Sequence, residues 1–252
     1  MDAERDLTQA GDWLRPFPDA ADVFAADQGH LARHLHPLFS IDLAAVDPQW
    51  SGWLHLLSPL EPCDGLVGQY SQVEDGELLK PNWIGFQVEA DGRYRLLGDA
   101  RYFLLESSAQ QTPAALAVSR RELETHYAEQ EAAYAASRDY YRRHGKLVRL
   151  DRKGRPSYGS EDAVELVESV GGEVEAGGNW EETVEFPLEY GRPGGADAGD
   201  ADEVVWPLSP AGRRFRHVAS VPGWNYRTSG ADSILLFYEP VERLALLSFD
   251  WS

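Results

Sequence analysis

The chain is poor in the residues that most often carry covalent or metal chemistry. It holds one cysteine, Cys63, and one methionine in 252 residues. No disulfide can close within it, which suits a reducing compartment. Cys63 stands between Pro62 and Asp64, where nothing lowers a thiol pKa. Histidine occurs seven times and asparagine three times. No apolar run approaches the roughly 18 residues of a membrane span. The opening stretch MDAERDLTQAGDWLR has neither the basic nor the apolar region of a secretory signal. No GxSxG, GxxxxGK[ST] or strand-GxGxxG-helix pattern occurs, so a nucleophile elbow and a phosphate-cradling loop are unsupported. The reading that remains is a cytoplasmic, soluble protein with no cofactor and no catalytic motif.

Positive charge is the other shortage: 23 Lys and Arg face 42 Asp and Glu, for a formal net charge of −19. Fourteen of the acids fall between Glu161 and Glu203, opposed only by Arg192, so that stretch carries 1 − 14 = −13. It follows a basic segment, Arg138 to Arg155, with eight Lys or Arg and two Asp, or +6. An acidic surface repels nucleic-acid phosphates and anionic membranes, and leaves a basic protein as the partner it can attract. Two plainer accounts compete: solubility alone, or the +6 segment docking internally on the −13 segment.

At 43% apolar and 11% aromatic, the chain is globular in composition. Asp22 to Leu38 shows mixed helical spacing, ended or kinked by Pro37. Residues 53–57, 65–73, 82–90, 93–99 and 101–107 read as strands, with Asp91-Gly92 as a hairpin turn between two of them. The clearest helix runs from Ser119, with Glu122 completing a capping box, to His144, where Gly145 can close it. Residues 146–150 read as a strand and 151–158 as a basic turn; 163–170 read as a short helix and 180–188 as an edge strand. Residues 191–202 read as a flexible loop. SILLFY (233–238) and RLALLSF (243–249) form a hairpin apolar enough to be covered on both faces.

The order predicts an α+β fold: a mainly antiparallel sheet packed by one long helix (about 119–144), with a buried C-terminal hairpin. A single domain over 1–252 is expected, with sheet-containing halves of about 50–118 and 146–252 bridged by that helix. Each asparagine adjoins a tryptophan after a Gly or Pro signal (Asn82-Trp83, Asn179-Trp180, Trp224-Asn225), a weak hint of duplication.

Several constellations are candidates for function. His30 and His34 stand at i, i+4, the spacing by which a helix offers two metal ligands, with Asp27 one turn earlier; surface histidines are the plainer reading. Tyr127, Tyr134 and Tyr141 recur every seven residues along the long helix, as a core stripe or as an aromatic groove for a ligand. The loop 224–232 offers Trp224, Asn225, Arg227 and Asp232, as local turn chemistry or as a ligand site. Paired carboxylates with many aromatic residues also suit a carbohydrate-binding protein or glycosidase. The leading reading is a non-catalytic protein that binds another protein, in concrete form a bacterial immunity or inhibitor-type protein. Its contacts would be Glu173, Glu175, Glu181, Glu182 and Glu185, with Trp180 as the anchor. The alternative is a small-ligand or carbohydrate-binding protein or enzyme using the tyrosine stripe or the 224–232 loop.

Overall fold

The computed structural model describes residues 5–61, 66–69, 71, 76–107, 120–182, 186–192 and 203–251. Cys63, the Ser119 cap, Glu185 and most of the 191–202 loop lie outside them. In chain order the elements are β1 (Leu14–Pro16), α1 (Ala20–Val23), β2 (Leu35–Asp42), β3 (Trp53–Pro59), β4 (Leu79–Lys80), β5 (Trp83–Val88) and β6 (Tyr94–Leu96). There follow α2 (Arg120–His144), β7 (Ser169–Val170), β8 (Val174–Glu175), β9 (Leu188–Gly191), β10 (Val204–Pro207), β11 (Arg216–Val221), β12 (Ser233–Glu239) and β13 (Leu244–Asp250). The strands make three antiparallel sheets: β1-β2-β3, β8-β10-β9, and a large one in the order β4-β5-β13-β12-β11-β7, with β6 on β5. The fold is α+β, mostly antiparallel sheet with one long helix, as the sequence predicts. Among the described residues, no helix is long and apolar enough to cross a membrane.

The C-terminal hairpin is the centre of the large sheet. Along β12, Ile234, Leu236 and Tyr238 enter one hydrophobic core, while Leu235 and Phe237 enter a second core on the opposite face. On β13, Ala245, Leu247 and Phe249 join the first, and Leu244 and Leu246 the second. The period-2 alternation therefore has an apolar side chain at nearly every position because both faces are covered. β13 pairs with β5 from Leu244↔Gln87 to Ser248↔Trp83, so the two sequence halves share one sheet.

The first face is covered by β1-β2-β3 and by α2, whose Tyr134 belongs to the same core as Leu38 and Leu247. The second is covered by the acidic stretch itself. Trp180, Phe186 and Val205 pack with Trp83, Phe215 and Phe237, Trp83 stacking on Phe186 at 4.0 Å. The described part of the stretch after β7 is thus a layer of the fold, with Val174, Trp180 and Phe186 inward and Glu173, Glu175 and Glu182 outward. Two of the asparagines tie that layer to the sheet. Asn82, held at φ 69, donates to the Phe249 carbonyl and accepts from the Trp251 indole. Asn179 accepts from the Trp251 backbone N–H at 2.9 Å. A short polar side chain tolerates the left-handed backbone of Asn82 better than most. Asn82 and Asn179 thus meet at Trp251, whereas Asn225 of the third pair donates to Glu165 O.

Other expectations are corrected. Asp22–Leu38 is not one helix: it holds the end of α1, a 3-10 turn at Gly29–Arg33 and the start of β2. Residues 35–41 are all buried, which a strand sandwiched on both faces explains and a surface helix does not. Pro37 sits at the register shift between β2 and β3, where its missing N–H breaks no ladder bond. Residues 101–107 hold the end of a 3-10 segment (Ala100–Tyr102), whose N-cap Asp99 accepts from the Arg101 N–H at 2.8 Å, and the turns that follow it. Of the 65–73 strand, residues 66–69 form a turn and Ser71 is not in a strand. Residues 146–150 contribute only the Leu150↔Pro156 bridge. Residues 163–170 are extended and end in β7; in 180–188 a 3-10 turn at Asn179–Glu181 precedes β9, an edge strand that begins only at Leu188. At the end of α2, Gly145 adopts φ 68 and its N–H caps Tyr141 O at 2.7 Å, the predicted closure.

Candidate functional site

The small sheet β8-β10-β9 presents the acidic face. Val174 packs inward while Glu173 and Glu175 stay exposed on either side of it. Glu182, after the 3-10 turn, and Glu203, leading into β10, are exposed as well. Among the described residues none of these four forms an ion pair; within the stretch, Glu189 is engaged by Arg214 at 2.7 Å. The basic segment does not neutralise this face. Its arginines pair elsewhere, Arg142 with Asp19 at 3.7 Å and Arg155 with Asp151 at 2.9 Å. Among the described residues, its link to the acidic stretch is Lys146–Glu161 at 3.6 Å.

Two residues expected at this surface are placed inside. Trp180 is 2% exposed, its ring 5.6 Å from that of Trp83, so it holds the layer to the sheet. Glu181 is buried and accepts from the Gly177 N–H, so it closes a turn. The aromatic that does face solvent is Tyr190 on β9, 48% exposed, which lies across from Val205. Its hydroxyl is pushed up to about 12 by partial burial and by the neighbouring carboxylates Glu181, Glu203 and Glu182. By register Tyr190 shares the side of the small sheet that carries Leu188, Val174 and Val205, and it is exposed at the β9 edge, which alternation alone does not signal.

The stripe and the loop, separate in sequence, converge beneath α2. Tyr127 and Tyr134 are 5% and 4% exposed, so they line core rather than an open groove. Tyr141 is half-buried against Phe17. Tyr134 stacks on His36 at 4.2 Å and donates to Pro37 O at 2.5 Å. Arg227 is buried and donates to Pro59 O at 2.9 Å and to Ser58 Oγ. Gln130 donates to Ser229 Oγ at 2.9 Å. Asn225 donates to Glu165 O at 3.1 Å, which anchors the loop, with Trp224 and Asp232 half-buried at its ends. The two histidines do not meet as ligands. His30 is exposed on the 3-10 turn, while His34 is fully buried, with Nδ1 against the Tyr127 hydroxyl at 3.2 Å and Nε2 against Glu106 at 3.1 Å. The missing α-helix removes the shared face that i, i+4 spacing requires.

A cleft of about 960 Å³ opens between β1-β3 and the turns after β5 and β12. Arg15, Arg93, Arg142 and Arg243 line it, with Ser40 and His55 at its floor. These groups are largely engaged with the protein. Arg15 lies 3.7 Å over the Trp53 ring, Arg93 faces Asp91 at 3.5 Å, and His55 Nδ1 bonds Ser40 at 2.8 Å. Burial holds the His55 imidazole neutral, down to about 4. Comparison of the chain with protein-family models, curated proteins and solved structures found no match.

Proposed function

We propose that the protein is a non-catalytic binding protein whose β8-β10-β9 face engages a basic protein. The observation that carries the reading is one half-exposed aromatic, Tyr190, beside the exposed carboxylates Glu182 and Glu203, neither of which forms an ion pair among the described residues. Exposed acids alone give solubility and steering; an aromatic among them adds apolar area and a fixed point of contact. Glu182 and Glu203 beside Tyr190, with Glu173 and Glu175 on the other side of the small sheet, supply the complementary field, and among the described residues none of the four pairs with the basic 138–155 segment. An immunity or inhibitor-type role, in which such a face neutralises a cationic toxin surface, is the concrete form of this proposal.

The test is capture by the immobilised protein from lysate at low and high salt, with the captured species identified by mass spectrometry. A basic protein is expected at low salt, with affinity reduced at least about tenfold by Tyr190→Ser and by the pair Glu175→Lys and Glu182→Lys. Capture that ignores both salt and these substitutions would sink the reading.

A further inference from the structure

The cleft beside β1-β2-β3, about 960 Å³, has the size of a small-molecule site, roughly 300–1,000 Å³. It is also an exception to the charge of the chain. Four arginines and three aspartates line it, so the lining is net positive by one, whereas the whole chain carries −19. Arg142 is matched by Asp19 at 3.7 Å and Arg93 by Asp91 at 3.5 Å. Arg15, Arg243 and Asp22 remain, and among the described residues none of the three forms an ion pair.

The fold of the small sheet places Arg15. It lies across from Ser40, and Ser40 across from His55. These three stand in one row on the cleft side, while the next row, Leu14, Ile41 and Leu54, points into the core. Ser40 Oγ and His55 Nδ1 meet at 2.8 Å and the imidazole is neutral, so the row sets no carboxylate against Arg15. Trp53, two residues before His55, is on the same face, and the Arg15 guanidinium lies 3.7 Å over its ring. Stacking occupies the flat face of a guanidinium and leaves its N–H edge free, already oriented for a planar or tetrahedral anion.

We infer that this cleft binds a small sugar carrying an anionic group, a carboxylate or a phosphate, with Arg15 as its anchor. The N–H edge of Arg15 donates two parallel bonds to the anion. Arg243, on the opposite wall at φ 56 with Nη2 donating to the Glu89 carbonyl, adds a second cation. The exposed Asp22 and Gln49 on the lining accept from ring hydroxyls, and the half-buried Trp50 offers apolar surface to the C–H face of the ring. A neutral sugar leaves Arg15 unanswered, and a simple acid leaves Asp22 idle. The site shares no residue with the β8-β10-β9 face, so it stands or falls separately from the protein-binding reading.

Titration with glucuronate, glucose-6-phosphate, glucose and acetate at matched ionic strength, followed by the tryptophan indole N–H resonances, tests the site and separates the two anions. Glucuronate or glucose-6-phosphate is expected to move the Trp53 resonance saturably, and the tighter of the two identifies the anionic group. Glucose and acetate should bind at least about tenfold more weakly. Arg15→Met keeps apolar contact with Trp53 but removes the donors, and should cost at least about tenfold in affinity for the acid. Should that variant fail to fold, Asp22→Ala, at an exposed position of α1, is expected to weaken the sugar acid about threefold or more and leave acetate unchanged. The absence of a saturable shift with either acid would overturn the proposal. So would equal binding of glucose or acetate, or a folded Arg15→Met that binds like wild type.

Discussion

Glu61 is 1% exposed, and its Oε2 accepts from the Leu104 N–H at 3.1 Å. Burial raises its carboxyl from 4.5 to about 7. Between those values the folded state holds the proton and the unfolded chain does not. Glu61's contribution is therefore intact below about pH 4.5 and lost as pH rises through 7. His34, His36 and His55 act oppositely. Burial lowers each from 6.5 to about 4, so their contribution is present above 6.5 and lost as pH falls toward 4. Glu61→Gln keeps an acceptor for Leu104 and removes the titration. It is expected to exceed wild type in stability by roughly 2–3 kcal/mol at pH 8 and to match it near pH 4.5. Urea midpoints at both pH values check this, and an equal gap at both would exclude Glu61 as the source. Neither Glu61 nor Arg227 stands out in sequence as buried, because their burial comes from segments far along the chain.

At the scale of elements, β5 shows how closely the strands are fitted. A Cβ on Gly85 would stand 2.4 Å from Leu78 Cβ and 2.8 Å from the Leu78 carbonyl oxygen. Backbone must shift to admit it, so Gly85→Ala is expected to destabilise by ~1–3 kcal/mol; a denaturation midpoint equal to wild type would show that this edge of the sheet yields freely. The elements most legible in the sequence were those with a long period or a strong stop. α2 has a 25-residue span and Gly145 at its end, and the β12-β13 pair has its alternating double core. The segments that misled were short and apolar. LHPLFSI and RYFLLES have no period that separates helix, strand and buried turn, and only β3 beside the first and the Asp99 cap at the second decide between them.

For the whole molecule, the large sheet is assembled from distant pieces, β13 lying between β12 and β5. Removing residues 244–252 would expose both cores at once and strip β5 of its pairing with the C-terminal hairpin. The expected outcome is loss of cooperative unfolding, seen in near-ultraviolet circular dichroism, and a truncated chain that still melts sharply would refute the central role of β13. The sequence by itself determined the charge asymmetry, the α+β class, the helix limits near 120–144 and the C-terminal hairpin, because these follow from local composition, periodicity and capping. Only the tertiary structure decided that the −13 stretch is a covering layer. Trp180 and Glu181 turn inward, Glu173, Glu175 and Glu182 turn outward, and Tyr190 rather than Trp180 meets solvent. The reason is physical: the second face of the large sheet must be covered, and the Trp83 and Phe237 rings that draw Trp180 inward lie at least 57 residues away in the chain.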